Sequence, residues 1–233
     1  MKTIYNLNDN KQIKLLSKQK VFYPTQTTKY LLNSVFLSFP KKKNISFLDL
    51  GCGAGVIGVF LLKYFKNIKK GYFLDLSSDA INLTKKNLDL NRIKKNKFNL
   101  VKSNLFSSLK KEKFDIIIND VSGISDKVAK ISPWFNHVPC DSGEDGTKQT
   151  IKVFNQFSKF LKKEGIFYTP IISFCNEKKI FSYLKKKKYK FKEILFKEWP
   201  IPKKMHEHKK LLKKLKNKNK IFYNEKFNFI IAH

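Results

Sequence analysis

The sequence predicts an α/β fold, a doubly wound sheet of mostly parallel strands with helices on both faces. Three observations carry that prediction. Short apolar runs alternate with segments whose apolar residues recur at helical spacing. The first strand-like run stops at a glycine-rich loop that opens into a helix. An acid closes or nearly closes each of the first two strands, and ligands of such folds gather at the strands' carboxyl ends.

Residues 1–20 are polar and read as partly loose. Thr25 or Thr27 caps a helix through about Phe39, with Tyr30, Leu31, Leu32, Val35 and Phe36 on its apolar face. Pro40 and a lysine run end it. Ile45–Leu50 is a buried strand, and a helix follows from about Val56 to Phe65. Gly71–Asp75 is the second strand. Ser78 caps the next helix, where Ala80, Ile81, Leu83, Leu88 and Leu90 keep helical spacing. Phe98–Val101 and Phe114–Asn119 are strands three and four. An irregular stretch, Val121–Gly146, holds a short helix around Lys127–Ile131. A helix over Thr150–Leu161, a strand over Gly165–Ser173 and a helix over Asn176–Lys185 come next. The end reads as strand Phe191–Trp199, helix Met205–Leu215 and strand Phe222–Ala232, with the last two strands as an antiparallel edge.

The chain has 233 residues and 42 % hydrophobic residues, enough for one domain with its own core. There is no internal repeat and no Gly/Ser linker. We therefore expect a single domain over 1–233: an N-terminal segment and helix (1–40), a cofactor-binding core (41–175), and a C-terminal helix with edge strands (176–233). The N-terminus lacks the apolar stretch of a signal peptide, and the longest apolar run, Gly55–Leu62, is too short to cross a bilayer. Cys52, Cys140 and Cys175 show no Cys-x-x-Cys spacing, which suits a reducing cytosol and argues against structural zinc. A cytoplasmic protein is expected. The net charge is +31, from 49 Lys and Arg against 18 acids. Such a field attracts RNA. Arg92 is the only arginine, however, and codon usage of an AT-rich genome explains the lysines equally well.

The chemistry concentrates in Asp49-Leu50-Gly51-Cys52-Gly53-Ala54-Gly55. Gly51 permits a tight turn, and Gly53 and Gly55 let a ligand approach the backbone. A nicotinamide fingerprint wants its third glycine one residue later, where Val56 stands. Asp49 would repel a pyrophosphate but suits the ammonium of a methionine moiety. Asp75, at the end of strand two, stands where a carboxylate accepts both ribose hydroxyls. The bland alternative is a tight strand–helix turn with two solvated acids.

Phe47–Gly58 resembles motif I of class I methyltransferases, and Phe73–Ile81 resembles motif II. That resemblance implies a Rossmann-like sheet of seven strands in the order 3-2-1-4-5-7-6, with S-adenosylmethionine across the first strand ends. It also implies cofactor contacts from Asp49, Gly51, Cys52, Gly53, Gly55, Asp75, Leu76 and Thr28. Asn104 stands where the family usually has an Asp beside the adenine. Within the class, three stretches are similar to the HemK-like, release-factor glutamine methyltransferase group. These are the Pro-x-x-x-Thr segment in Val21–Thr28, strand four at Phe114–Gly123, and the Ser142–Thr147 turn.

Two departures stand out. The group's Asn-Pro-Pro-Tyr tetrad, which holds the target nitrogen, falls on Asp120-Val121-Ser122-Gly123. By this carry-over Asp120, Val121 and Ser122 are the catalytic candidates. Val121 still offers a carbonyl, and Asp120 can accept an N–H or act as a base if its pKa is raised. Gly123 removes the stacking ring. Trp134 or Phe135 then either covers the acceptor or anchors the long loop in the core. The second departure is the short N-terminus, since the group's bacterial members carry a helical substrate domain there.

Met205-His206-Glu207-His208 does not read as a metal site, because histidines two apart on a helix face different ways. His137 is a weak acid/base candidate. Lys203–Lys220 reads as a basic amphipathic helix that lies on RNA phosphates or faces solvent. The expected activity is N-methylation of a protein side chain in the translation machinery, with that macromolecule as partner. An rRNA or tRNA base methyltransferase and a non-catalytic cofactor-fold module are the alternatives.

Overall fold

The computed structural model describes residues 1–8, 10–135, 138–196, 201–217 and 229–232, with the backbone alone for 216–217 and 229–232. The chain divides into two compact units, one of Met1–Asp120 with Gln156–Tyr168, the other of Val121–Asn155 with Thr169–His233.

The first unit opens with a hairpin rather than a loose segment. Strands β1 (Lys2–Asn8) and β2 (Lys11–Leu16) pair antiparallel. Apolar and polar residues largely alternate within 2–8 and 11–16, a strand pattern which the polar composition of the segment obscures. The free edge of β2 is bound by helix side chains. Gln12 N–H donates to Tyr64 Oη, Lys14 N–H to Asn91 Oδ1 at 3.0 Å and Leu16 N–H to Asn87 Oδ1 at 2.7 Å. Both asparagine amides donate back, to Lys14 O and Leu16 O.

Helix α1 (Gln26–Leu37) follows with Thr25 as its N-cap. Four parallel strands then form in sequence: β3 (Ile45–Leu50), β4 (Ile68–Asp75), β5 (Phe98–Lys102) and β6 (Phe114–Asn119). The apolar helix α2 (Val56–Tyr64) connects β3 to β4. Helix α3 (Ser78–Leu90) connects β4 to β5, and its N-cap is Ser77 rather than Ser78, with Ser77 Oγ accepting from Ala80 N–H. Helix α2 lies tight on the sheet because Gly58 has no side chain. A Cβ there would stand 2.1 Å from the Phe73 ring.

Strand β7 (Leu161–Ile172) runs from the first unit into the second. Its first part pairs parallel with β6, giving the order β5-β4-β3-β6-β7. Its last four residues pair antiparallel with β8 (Phe229–Ala232). The expectation of seven strands is therefore corrected: among the described residues the sheet has six, five of them parallel. Residues 191–196 form no strand, because Phe191 packs its ring on Phe181 of helix α7 (Glu177–Lys186), at 5.6 Å, instead of a sheet edge. Residues 197–199 and 222–228 of the two expected end strands lie outside the described residues.

The expected helix over Thr150–Leu161 is two, α5 (Lys148–Phe154) and α6 (Phe157–Phe160), and Leu161 already belongs to β7. Asn155 ends α5, and its Oδ1 accepts from Tyr183 Oη. In the second unit α4 (Asp126–Ile131) precedes the long loop. The expected helix Met205–Leu215 is also two, α8 (Lys203–His206) and α9 (Lys209–Asn217). A turn separates them, where His208 N–H donates to Met205 O and the His206 ring bonds Ile201 O. Met205, Leu212, Leu215, Phe174 and Val128 form the core of this unit.

Candidate functional site

The glycine loop is set by backbone ties to the end of β4. Gly51 N–H donates to Leu74 O at 2.8 Å and Cys52 N–H to the same oxygen at 3.0 Å. Gly55 caps α2 with φ +75°, and a Cβ there would meet Thr84 at 2.7 Å. That left-handed conformation and that contact both require glycine. Helix α3 holds the loop from the other side. Thr84 Oγ1 donates to Gly53 O at 2.9 Å and Asn87 Nδ2 to Ala54 O at 2.8 Å. The loop is thus rigid before any ligand arrives.

Three carboxylates stand around it. Asp49 is 1 % exposed; its Oδ2 accepts from Gly58 N–H at 3.0 Å, while Oδ1 is buried with no partner. Burial, reinforced by Asp120 and Asp75, outweighs the Gly58 bond and pushes its carboxyl up to about 8. Asp75 accepts from Gly53 N–H at 2.9 Å and Ser77 N–H at 2.8 Å, and burial still leaves its pKa raised. Asp120 closes the set at the end of β6. Its N–H donates to Leu50 O, and its Oδ2 accepts from the Thr28 hydroxyl at 2.8 Å. Burial, only partly offset by Thr28, pushes it up to about 7. No cation stands within 4.0 Å of any of the three among the described residues. The ion pairs go to Asp79, Asp89, Asp115, Asp141, Glu144 and Asp145.

The other expected cofactor residues fall at the same strand ends. Leu76 is 64 % exposed, unusual for a leucine following a buried strand. Asn104 is exposed. Cys52 turns its thiol inward to Thr84 Oγ1 at 3.6 Å, and burial pushes that thiol up, so only its backbone is left for a ligand. Thr28 is buried and directs its hydroxyl to Asp120. The Val21–Thr28 segment reaches the loop, with Phe22 O 3.6 Å from where a Cβ on Gly53 would sit.

Two residues go unnoticed in the sequence. Tyr5, on β1, packs edge-on against Phe60 at 6.0 Å, and its phenol is pushed up by burial, by Asp120 and by Tyr23. Tyr23 is 48 % exposed. The alternating pattern of residues 2–16 was the signal for Tyr5, since it marks a strand with one buried face.

In the second unit, Ser122 is pinned rather than free. Ser142 Oγ donates to Ser122 O at 2.8 Å, and Ser122 Oγ lies 3.2 Å from Cys140 Sγ. Gly123 packs beneath Thr150, where a Cβ would stand 3.1 Å from Oγ1. Trp134 tilts against Phe174 at 6.5 Å, and Trp134 and Phe135 both pack on the Met205–Leu212 core. Those contacts are the ones an anchoring role requires. His137 lies outside the described residues. Among the described residues no three His, Cys, Asp or Glu side chains gather as metal ligands, and no helix is long and apolar enough to cross a membrane.

The fold and this set of groups resemble those of the Rossmann-like class I methyltransferases. The residues fit the cofactor of that class, S-adenosylmethionine. The orphaned Asp49 oxygen suits an ammonium, Asp75 suits a ribose diol, and the glycines leave room for a close backbone approach.

Residues 13–120 match the family described as the methyltransferase small domain. The chain is 28 % identical over 151 residues to the release factor glutamine methyltransferase of Borreliella burgdorferi, covering 63 % of this chain and 51 % of that protein. It is 24 % identical over 125 residues to the ribosomal protein uL3 glutamine methyltransferase of Francisella tularensis, covering 52 % and 39 %. It thus spans about half the length, or less, of these curated relatives. The structure of a ribosomal protein L11 methylase from Lactobacillus delbrueckii subsp. bulgaricus matches with a TM-score of 0.62 at 15 % identity, over 99 % of this chain and 98 % of that one, and so shares the fold. The resemblance read from motifs I and II holds.

Proposed function

We propose that this chain transfers a methyl group from S-adenosylmethionine to a side-chain nitrogen of a protein in the translation machinery. The observation that carries the cofactor half is the buried Asp49 oxygen without a partner, beside a glycine loop and Asp75. An unpaired buried carboxylate persists where a ligand supplies the missing charge. Asp49, Asp75 and the glycines hold the cofactor, with Leu76 and Asn104 beside its adenine. The cofactor supplies an activated methyl on a sulfonium. Asp120, Val121 and Ser122 stand at the acceptor. Likeness to two protein-glutamine methyltransferases supports a protein acceptor.

Calorimetry tests the first half: S-adenosylmethionine binds tightly, and Asp75→Ala abolishes the binding. Absence of wild-type binding would leave a non-catalytic module. Tritiated methyl transfer to cell extract, with and without nuclease, tests the second half. Counts that survive nuclease and are lost to protease support the protein acceptor. The reverse pattern makes the chain an RNA methyltransferase.

A further inference from the structure

We propose that the acceptor is a primary amine that arrives as an ammonium, a lysine side chain or a chain's N-terminal amine, and that Asp120 holds and deprotonates it. The proposal rests on the methyltransferase reading above and narrows its substrate.

The case begins with what Asp120 lacks. It sits beside Leu50, at the mouth of the glycine loop, with one oxygen fixed by the buried Thr28 hydroxyl. No hydrogen bond reaches its other oxygen, and no ion pair reaches either, among the described residues. This occurs in a chain with 49 Lys and Arg. Its open oxygen is therefore available to pair with an ammonium that a substrate brings. A neutral amide would satisfy a lone pair but leave the charge unmatched. An ammonium answers both.

The neighbours agree with a cation. Burial and Asp120 both oppose ionisation of the Tyr5 phenol, so a neutral phenol stands near the carboxylate. Phenol rings tolerate an ammonium at their faces and do not compete with it for Asp120. The Phe60 contact braces Tyr5 in place. Burial already raises the affinity of Asp120 for a proton, as a base for an alkylammonium requires.

The step balances. The ammonium gives one proton to Asp120 and becomes a neutral amine. Its lone pair forms the N–C bond to the methyl group as the C–S bond breaks, with that bond's electron pair staying on sulfur. The products are a methylated ammonium, a neutral thioether and a protonated Asp120, which returns its proton to solvent.

The test is the chemical identity of the labelled product. Protein labelled with tritiated methyl is hydrolysed in hot acid. An N-methyl amide breaks down to methylamine, which becomes volatile once the hydrolysate is made alkaline, whereas an N-methyl amine of an amino acid survives and stays behind. The expected result is acid-stable label that runs with N-methyl-lysine or an N-methylated terminal residue. Acetylating the extract's amines beforehand should reduce labelling more than tenfold. Volatile label, or label unaffected by acetylation, overturns the proposal and leaves protein methylation standing. Label confined to RNA, or no label from wild type that binds S-adenosylmethionine, overturns both.

A binding measurement needs no turnover. Asp120 is assigned by carboxyl-carbon NMR against Asp120→Asn, in protein saturated with S-adenosylhomocysteine. The titratable groups recorded as interacting with it are Asp49 and the Tyr5 phenol. Butylammonium should lower the Asp120 midpoint saturably, and pentanamide should leave it unchanged. Equal response to both overturns the proposal.

Discussion

Strand β6 has a carboxylate just inside one end and another just beyond the other, and the fold treats them in opposite ways. Asp115, near the start, is 3 % exposed. Burial alone would raise its carboxyl, but Lys42, the Ser46 N–H, Lys162 and the Ser46 hydroxyl hold it well below the usual carboxylate range. Asp120 has one neutral hydroxyl for company and is pushed up to about 7. Both follow the same neighbour, β3, and differ in which end of the sheet they occupy. Lys42 precedes β3 and Lys162 opens β7, so the cations collect where the strands begin. At the carboxyl ends Lys102 closes β5, yet among the described residues no ion pair reaches Asp49, Asp75 or Asp120.

Four experiments break or sharpen that contrast. The largest effect is expected at Asp120→Asn, which should slow methyl transfer about 10²–10³-fold, the usual range for losing a positioned base. Its urea midpoint should hold or rise, because a buried charge is removed. If transfer persists, Asp120 is a structural residue like Asp115. Asp115→Asn should do the converse. It strands two half-exposed lysines and weakens the Ser46 bonds, for a loss of about 2 kcal/mol in urea unfolding. Calorimetric affinity for S-adenosylmethionine should be unchanged.

The third prediction concerns pH. Asp49 and Asp120 have folded values of about 8 and about 7, above the unfolded carboxylate value of about 3.9. The folded state therefore binds more protons, so this contribution is complete below the unfolded value and is lost as pH rises through the folded values. Asp115 is depressed and behaves oppositely, with stability lost as pH falls below its unfolded value. Scanning calorimetry should show a melting temperature that declines on both limbs. Asp49→Asn should flatten the alkaline limb and leave the acid one. The smallest effect belongs to Thr28→Val. Removing one hydrogen bond worth about 1 kcal/mol should move the pH midpoint of methyl transfer upward by up to about one unit.

Legibility in the sequence followed the range of the interactions. Asp49, the three glycines and Asp75 were readable because strand, turn and helix are local, and so was the run that ends in Asp120. The pairing of Thr28 with Asp120 was not, since it joins segments far apart in sequence through a single hydroxyl. Thr28 itself was read as a cofactor contact from resemblance alone. Ser122 was a catalytic candidate by its place in the tetrad, and nothing local announced that Ser142 would grip its carbonyl. Phe191–Trp199 had strand-like composition, yet Phe191 found a helix partner first. Residues 1–20 failed for another reason. Their alternation is present, but it is short and set in a strongly polar composition.

The hairpin they form has a further consequence. A helix advances about 6 Å over four residues, and an antiparallel strand advances about 6.8 Å over two. Asn87 and Asn91 therefore meet Leu16 and Lys14 nearly in step, so that two amides on α3 act as a short length of neighbouring strand. The mismatch grows with each repeat, which limits how far a helix can imitate a strand. Where the amides fall out of step, Tyr64 takes over at Gln12. This edge is consequently closed to an intruding chain, although among the described residues no strand lies beside it.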